Sequence, residues 1–421
     1  MRAGVRAGVL AGVWADVLAG TLAGVRAGVL AAVRADVLAD VLAGPGSRIA
    51  SGPTPPPAEN PMSPTQLIAL PQLTQAMHLV VRGFGSTDDE VQAVAGNLIM
   101  ANLTGHDSHG IGMLPRYAEA FLQGGLKPNA HVSTVHDAGA LLRLDGNAGF
   151  GQVIGAEAMA LGISRAKAQG SCIVALGNSH HLGRIGAWAE QAATAGLVSI
   201  HFVNVISRAI VAPHGGSDAR FGTNPFCAGV PLSGRDPVIL DFATSMIAQG
   251  KTRVAMNKGE QVAPGCLIDD HGRPTQDPRY SVVPPFGALL TFGAHKGFGL
   301  ALMCELLGGA LAAGMTQRDD ETSQRRVLNG MFSVLVDPGM LGDRAAFEHE
   351  AQAFIEWTKA SPPRDGFGPV QVAGEAERAM RAERSTQGVP VDATTWAEIL
   401  AAATQLGVDP AQVQVAAGLP A

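Results

Sequence analysis

The chain has 421 residues, with 30 Lys and Arg against 36 Asp and Glu, for a formal net charge of −6. That balance, with no basic block, argues against nucleic acid and anionic membrane as main partners. The four cysteines, Cys172, Cys227, Cys266 and Cys304, lie far apart with no C-x-x-C, so neither a zinc knuckle nor a disulfide framework is suggested, and a reducing cytoplasm fits.

Residues 1–44 repeat a four-residue unit, as in "RAGVRAGVLAGVWADVLAG". A period of four drifts around a helix of 3.6 residues per turn, and each glycine weakens a helix by roughly 1 kcal/mol against Ala. Asp16, Arg26, Arg34, Asp36 and Asp40 interrupt every apolar run, so no membrane span is expected. Residues 45–64 are rich in Pro and read as linker. Residues 1–61 are therefore expected to be a tail outside the fold, with the ordered protein starting near Met62, a candidate natural start.

From Thr65 onward the pattern is globular. Thr87-Asp88-Asp89-Glu90 is a capping box, and Val91, Val94, Ala95, Leu98 and Ile99 give one apolar face of a helix ending near Leu103. "GHDSHG" interrupts it, and Pro115 suits the first turn of the next helix, ending near Gly124-Gly125. Strands are expected at 140–145, 171–176, 197–204, 237–243 and 330–338, and helices at 155–170, 184–196, 343–360 and 392–407. Residues 297–314, apolar nearly all round, predict a central helix.

Two nucleotide motifs are nearly present. Gly149-Phe150-Gly151-Gln152-Val153-Ile154-Gly155 follows a strand and opens a helix, but its spacing is G-x-G-x-x-x-G and the next strand ends in Asn178, not an acid. Residues 245–252, "SMIAQGKT", mimic a phosphate loop, with Ser245 where a glycine is needed and a helical character in "MIAQ". The histidines carry more. His106 and His109 flank Asp107-Ser108, and His180-His181 stand in "GNSHHLGRIG". Two histidine loops beside Asp and Arg suit proton transfer at a carbonyl or hydroxyl, and a neighbouring Asp would fix the tautomer and raise the pKa. Structural histidines, or a metal held by His106, His109 and His181, are the alternatives. Lys296, in the glycine-rich opening of the apolar helix, is a candidate phosphate contact.

Six ordered blocks, "GHDSHGIGMLPRY", "GNSHHLGRIGAWAEQAA", "VAPHGGSDARFGTNPF", "DFATSMIAQGK", "DDHGRPTQDP" and "GAHKGFGLALMCELLGGAL", resemble the type 2 malate/L-lactate dehydrogenase family, nearest its hydroxycarboxylate dehydrogenase branch. The resemblance implies an α/β fold with a large, mostly antiparallel central sheet instead of a Rossmann fold. It also implies a homodimer and NAD- or NADP-dependent interconversion of 2-hydroxy and 2-oxo acids. The expected parts are 62–135 with 340–421 for substrate and dimerisation, and 136–339 for NAD(P). Carried over, His109 and His181 are the acid/base candidates, with Asp107 and Ser108 beside them. Cofactor contacts fall on Asn204, Asn224, Asp241, Phe242, Ala243, Thr244, Lys296, Gly297, Gly374 and Glu375. Many members carry an Arg where this chain has Met113, so Arg116 or Arg184 would hold the substrate carboxylate, or the pocket is more apolar. A cyclic 2-imino acid reductase of the same family and a phosphate-loop nucleotide-binding protein are the competing functions.

Overall fold

A computed structural model describes residues 65–318 and 326–420, so the repeat and linker at 1–61 lie outside the described residues. The strands are β1 (Thr65–Ile68), β2 (Ser133–Ala138), β3 (Leu141–Asp145), β4 (Ser171–His180), β5 (Val198–Ile206), β6 (Phe226–Val230), β7 (Val238–Phe242), β8 (Leu267–Ile268), β9 (Pro274–Thr275), β10 (Ala288–Leu289), β11 (Leu328–Val336) and β12 (Val389–Asp392). Seven of them form one sheet in the order β2-β3-β4-β11-β5-β6-β7. Only the β3–β4 pair is parallel, joined by a crossover through the Gly151–Gln169 helix; every other pair is antiparallel. The expected fold class is thus observed, with the Rossmann-like turn reduced to a single β-α-β step.

Alternation along the strands assigns the two faces. Val174 of β4 and Leu335 of β11 meet the Gly151–Gln169 helix at Gly162. On the opposite face Gly177 and Gly330 meet the helix that runs from His295 through Ala313. That helix changes from α to π winding at Glu305. A second core joins the Leu70–Arg82 and Asp88–Leu103 helices to the C-terminal Ala393–Gln405 helix around Tyr117, Leu98 and Trp396. Burying each such large apolar side chain contributes roughly 1.5–3 kcal/mol. The pairing of β1 with β12 ties the start of the described chain to its end.

Three expectations change. Thr87 accepts the Glu90 N–H, but the Glu90 carboxylate does not reach back to the N-cap; it takes Ser86 and the Asn129 N–H instead, while the Thr87 N–H donates to the Asn129 side chain. The 295–313 helix is not buried all round: Leu302, Met303, Leu306 and Leu311 are exposed, because only its glycine-bearing face presses on the sheet. By length and composition this one described helix could cross a membrane. Residues 246 and 247 form a bend, Ala248 is extended, and the helix starts only at Gln249. The strand at 133–138 and the Glu375–Gln387 helix have no counterpart among the expected elements: the strand is exposed throughout, and the half-buried face of the helix is mostly polar, with Glu377, Arg378 and Arg384 on it and no side chain fully buried.

Gly155 and Gly96 separate packing from propensity. A Cβ at Gly155 would lie 2.5 Å from the Trp188 ring, whose indole N–H is held by the Leu182 carbonyl, whereas nothing lies within 4 Å of one at Gly96. Overpacking costs typically about 1–3 kcal/mol, more than the roughly 1 kcal/mol that Ala gains over Gly in a helix. Gly155→Ala is therefore expected to lower the urea midpoint and Gly96→Ala to raise it.

Candidate active site

The Asp88–Leu103 helix stops where Gly105 adopts a positive φ of 81°, and the chain makes two tight turns, Asp107–His109 and Ile111–Met113, before the Leu114–Leu122 helix. The "DSHG" stretch is thus a polar break between helices. It sets His109 Nδ1 3.2 Å from His181 Nε2, with the two rings stacked at 12°. His181 follows the end of β4, where the Gly151–Gln169 helix begins so close that a Cβ at Gly151 would overlap the His181 carbonyl oxygen. Its other nitrogen, Nδ1, lies 2.7 Å from the Tyr117 hydroxyl, which accepts a hydrogen bond of 2.8 Å from Gln152 Nε2. The Leu182 N–H, next along the chain, is held by Asn329 Oδ1 at 2.8 Å.

The bond order assigns the protons. With Gln152 donating to its oxygen, Tyr117 O–H donates to His181 Nδ1; His181 Nε2–H then donates to His109 Nδ1, leaving the His109 proton on Nε2. Burial drives this neutral state. His109 is pushed down to about 4 by desolvation, then by the charges of His106 and Arg184; His181 lies well below its ordinary value of 6.5 through burial, then His109. Burial raises the Tyr117 hydroxyl, with the Gln152 hydrogen bond opposing. Asp107 bonds to neither ring of the pair and so fixes no tautomer there, because its carboxylate faces Arg384 and Asn102.

A cavity of about 2210 Å³ opens onto this relay. Asp107, Ser108, His109, Met113, Arg116, His181, Arg184, Asp241, Phe242 and Ala243 all line it. Arg184 is buried and committed to Glu190 at 2.6 Å, which leaves Arg116 of the two expected clamps. Arg116 has a neighbour that sequence patterns did not show. Arg208 stacks 3.8 Å over Phe286 and gives Nη2 to the Ser281 carbonyl; burial, then the charge of Arg116, lowers its pKa. Asp241 accepts the Gly186 N–H at 2.6 Å, and burial raises its pKa against that bond.

The other expected cofactor residues are not brought to the cavity wall. Asn204 and Asn224 are fully buried and donate to the two oxygens of Glu305 at 3.3 and 2.7 Å, while their own carbonyls take the Gly330 and Val205 N–H groups. Thr244 is buried against the Thr223 and Asn224 carbonyls. Lys296 is exposed at the start of the long helix and Gly297 packs on Phe292. Gly374 caps the Glu375–Gln387 helix, and Glu375 pairs with Lys359. The phosphate-loop alternative fails on backbone grounds, because the Thr244 and Met246 N–H groups are spent on Thr223 and Leu290 and Thr252 is fully buried. Among the described residues the only cluster with metal-ligand spacing is Asp269, Asp270 and His271, which does not line the cavity; His106 pairs with Glu377 instead. Tyr117 and Gln152 were the residues missed. The available signal was rarity, since the chain has only two tyrosines.

Buried neutral histidines make stability depend on acid. His201, fully buried between the Ser199 and Ser333 hydroxyls, is pushed to about 3 by burial, and His180 likewise to about 3. Their folded values lie below the unfolded one, so the unfolded chain binds protons first; the stability is whole above about pH 6.5 and is lost as pH falls toward the folded values. Denaturant midpoints are expected to drop from pH 7 to pH 5, and His201→Asn to flatten that slope.

Residues 68–400 match the sequence model of the malate/L-lactate dehydrogenase family. Hydroxycarboxylate dehydrogenase B of Escherichia coli K12 is 51% identical over 331 residues, 78% of this chain and 91% of that protein. L-lactate dehydrogenase of Cupriavidus necator is 39% identical over 322 residues, 76% and 92% of the two chains. Sulfolactate dehydrogenase of Methanocaldococcus jannaschii superposes with a TM-score of 0.72 at 28% identity, covering 82% of this chain and 99% of that one. With a mostly antiparallel sheet, paired histidines and these matches, the chain belongs to the malate/L-lactate dehydrogenase family.

Proposed function

We propose that this protein interconverts a 2-hydroxy acid and a 2-oxo acid with NAD or NADP. The observation that carries it is the hydrogen-bonded line Gln152–Tyr117–His181–His109 ending in the cavity. A nicotinamide cofactor, when bound, supplies or accepts the hydride at the substrate's C2. The residues present fit such a group: the cavity is more than twice the roughly 300–1,000 Å³ of a single-ligand pocket, so a dinucleotide and an acid fit together, and Asp241, Phe242 and Ala243 form part of its wall.

The chain's own work is proton transfer and placement. In the oxidising direction the line runs in its other tautomer, with His109 Nδ1–H donating to His181 Nε2 and His181 Nδ1–H donating to the Tyr117 oxygen, and the Nε2 of neutral His109, freed in this way, takes the proton of the substrate hydroxyl. The charge it gains is shared with His181, and reversal of the Tyr117 hydrogen bond lets the line accommodate it. In the reducing direction the anionic substrate beside His109 favours its protonated form, and that imidazolium donates to the developing alkoxide. Arg116 and Arg208, the latter near enough for the charge of Arg116 to lower its pKa after burial does, hold the substrate carboxylate. Met113 leaves that part of the wall apolar.

A homodimer accompanies this function. It is supported by the exposed apolar row Leu302, Met303, Leu306 and Leu311, larger than isolated exposed side chains need explain. Sedimentation of the purified protein tests it, and a monomer at micromolar concentration would sink it.

The activity is tested by following NADH and NADPH oxidation with oxaloacetate, pyruvate, phenylpyruvate and hydroxyphenylpyruvate, with EDTA present. Turnover is expected; silence with all of them, alongside reduction of a cyclic 2-imino acid, would move the chain to the imine reductases. His109→Ala is expected to lower kcat by about 10²–10⁴-fold with NADH affinity kept, and loss of affinity at constant kcat would remove the acid/base role. Tyr117→Phe, which keeps the ring and deletes the relay hydroxyl, is expected to lower kcat by about tenfold or more, with KM little changed.

A further inference from the structure

We propose that Arg384 and Asn102 are positioning residues that set the place of His109 through Asp107, an inference that rests on the acid/base role given to His109 above. The two ends of the turn carrying His109 are pinned by one side chain. Asn102 Nδ2 donates to Asp107 Oδ1 at 2.7 Å, and Asn102 Oδ1 accepts the Ile111 N–H at 2.9 Å. Gly110 has no room for a Cβ against that amide. Arg384, 277 positions away, then closes the arrangement from outside: Nη1 and Nη2 meet Asp107 Oδ1 and Oδ2 at 2.8 and 3.2 Å, and Nη1 also donates to the Asn102 carbonyl. The fork matches the carboxylate as a bidentate pair, which fixes orientation as well as distance.

The imidazole of His109 has no anchor of its own except the catalytic partner. Among the described residues its ring nitrogens meet His181 alone, so its position along that line is set by the backbone beneath it. That backbone is a three-residue turn held by the His109 N–H to His106 and the Gly110 N–H to Asp107, too short to be rigid alone. The Glu375–Gln387 helix that brings Arg384 has no fully buried side chain. It docks through polar contacts, Arg384 on Asp107, Arg378 on the Pro237 carbonyl and Asp236, and Glu377 facing His106 at 3.6 Å. The Asp of the motif is thus an anchor point, and the chain's C-terminal part reaches the reaction through it. A displacement of about 1 Å in a reacting group costs up to 10²-fold in rate, so loosening this anchor falls on kcat.

The test compares Arg384→Met, Arg384→Lys and Asp107→Asn with Arg381→Met, an exposed neighbour on the same helix. It reads kcat, KM for the 2-oxo acid, NADH affinity, melting temperature and the rate at which diethylpyrocarbonate modifies His109, followed by peptide mass spectrometry. Arg384→Met is expected to lose about tenfold to a hundredfold in kcat, with NADH affinity and melting temperature near those of Arg381→Met and a changed His109 modification rate. Arg384→Lys, keeping charge without the fork, recovers part of the loss, and Asp107→Asn falls between. Unchanged kcat in Arg384→Met overturns the proposal, as does a fall of kcat, NADH affinity and melting temperature together, which would mark a merely structural tie. Should the wild type turn over none of the acids, the functional assignment fails separately, and the His109 modification rate still decides the anchor: the same rate in Arg384→Met and wild type overturns it.

Discussion

The hydroxyl of Tyr117 is the contact on which the site depends. It is fully buried, so it must be satisfied in both its donor and acceptor capacities or cost the fold a desolvation penalty of about 1–3 kcal/mol. Gln152 and His181 satisfy it, and in doing so three elements distant in sequence are brought to one point: the Leu114–Leu122 helix, the start of the Gly151–Gln169 helix and the end of β4. The geometry of the histidine pair follows from that requirement. A neutral His181 oriented by a neutral tyrosine can sit next to His109 without the repulsion of two charges, and burial keeps both in that state.

The sheet supplies the frame that this contact needs. β11 comes late in the chain yet lies at the centre, between β4 and β5, paired antiparallel with both. Its first residues therefore reach the end of β4 beside His181, and Asn329 there holds the Leu182 N–H. The register slips between Asn329 and Met331 at that point, so the strand bends where the site begins. Behind the same end of the sheet, Glu305 gathers Asn204, Asn224 and the Gln317 N–H where the long helix turns to π winding. These asparagines brace that end of the sheet from inside the protein.

Much of the secondary structure was legible because its periodicities are local properties. Strands at 141–145, 198–206 and 328–336 and the helices at 186–194, 344–359 and 393–405 lie where alternation or helical spacing places them, within a few residues. The D-S-H-G break was legible for the same reason: short polar residues and glycine end a helix, and the chain does turn there. The histidine pair was legible as two loops of one chemistry. What spacing could not carry was the pairing of side chains across the fold. Asp107 stands two residues from His109 and serves Arg384; Arg184 stands three residues from His181 and serves Glu190; Thr87 and Glu90 share a helix end and Glu90 serves Asn129.

The sequence by itself thus determined the polar turn, the two histidine loops, the failure of both nucleotide motifs and the family they point to. Only the tertiary structure decided which partner each polar group takes. A hydrogen bond is set by distances of about 3 Å, and residues such as Asp107 and Arg384, 277 positions apart, reach that distance only after the sheet and both cores have closed around them.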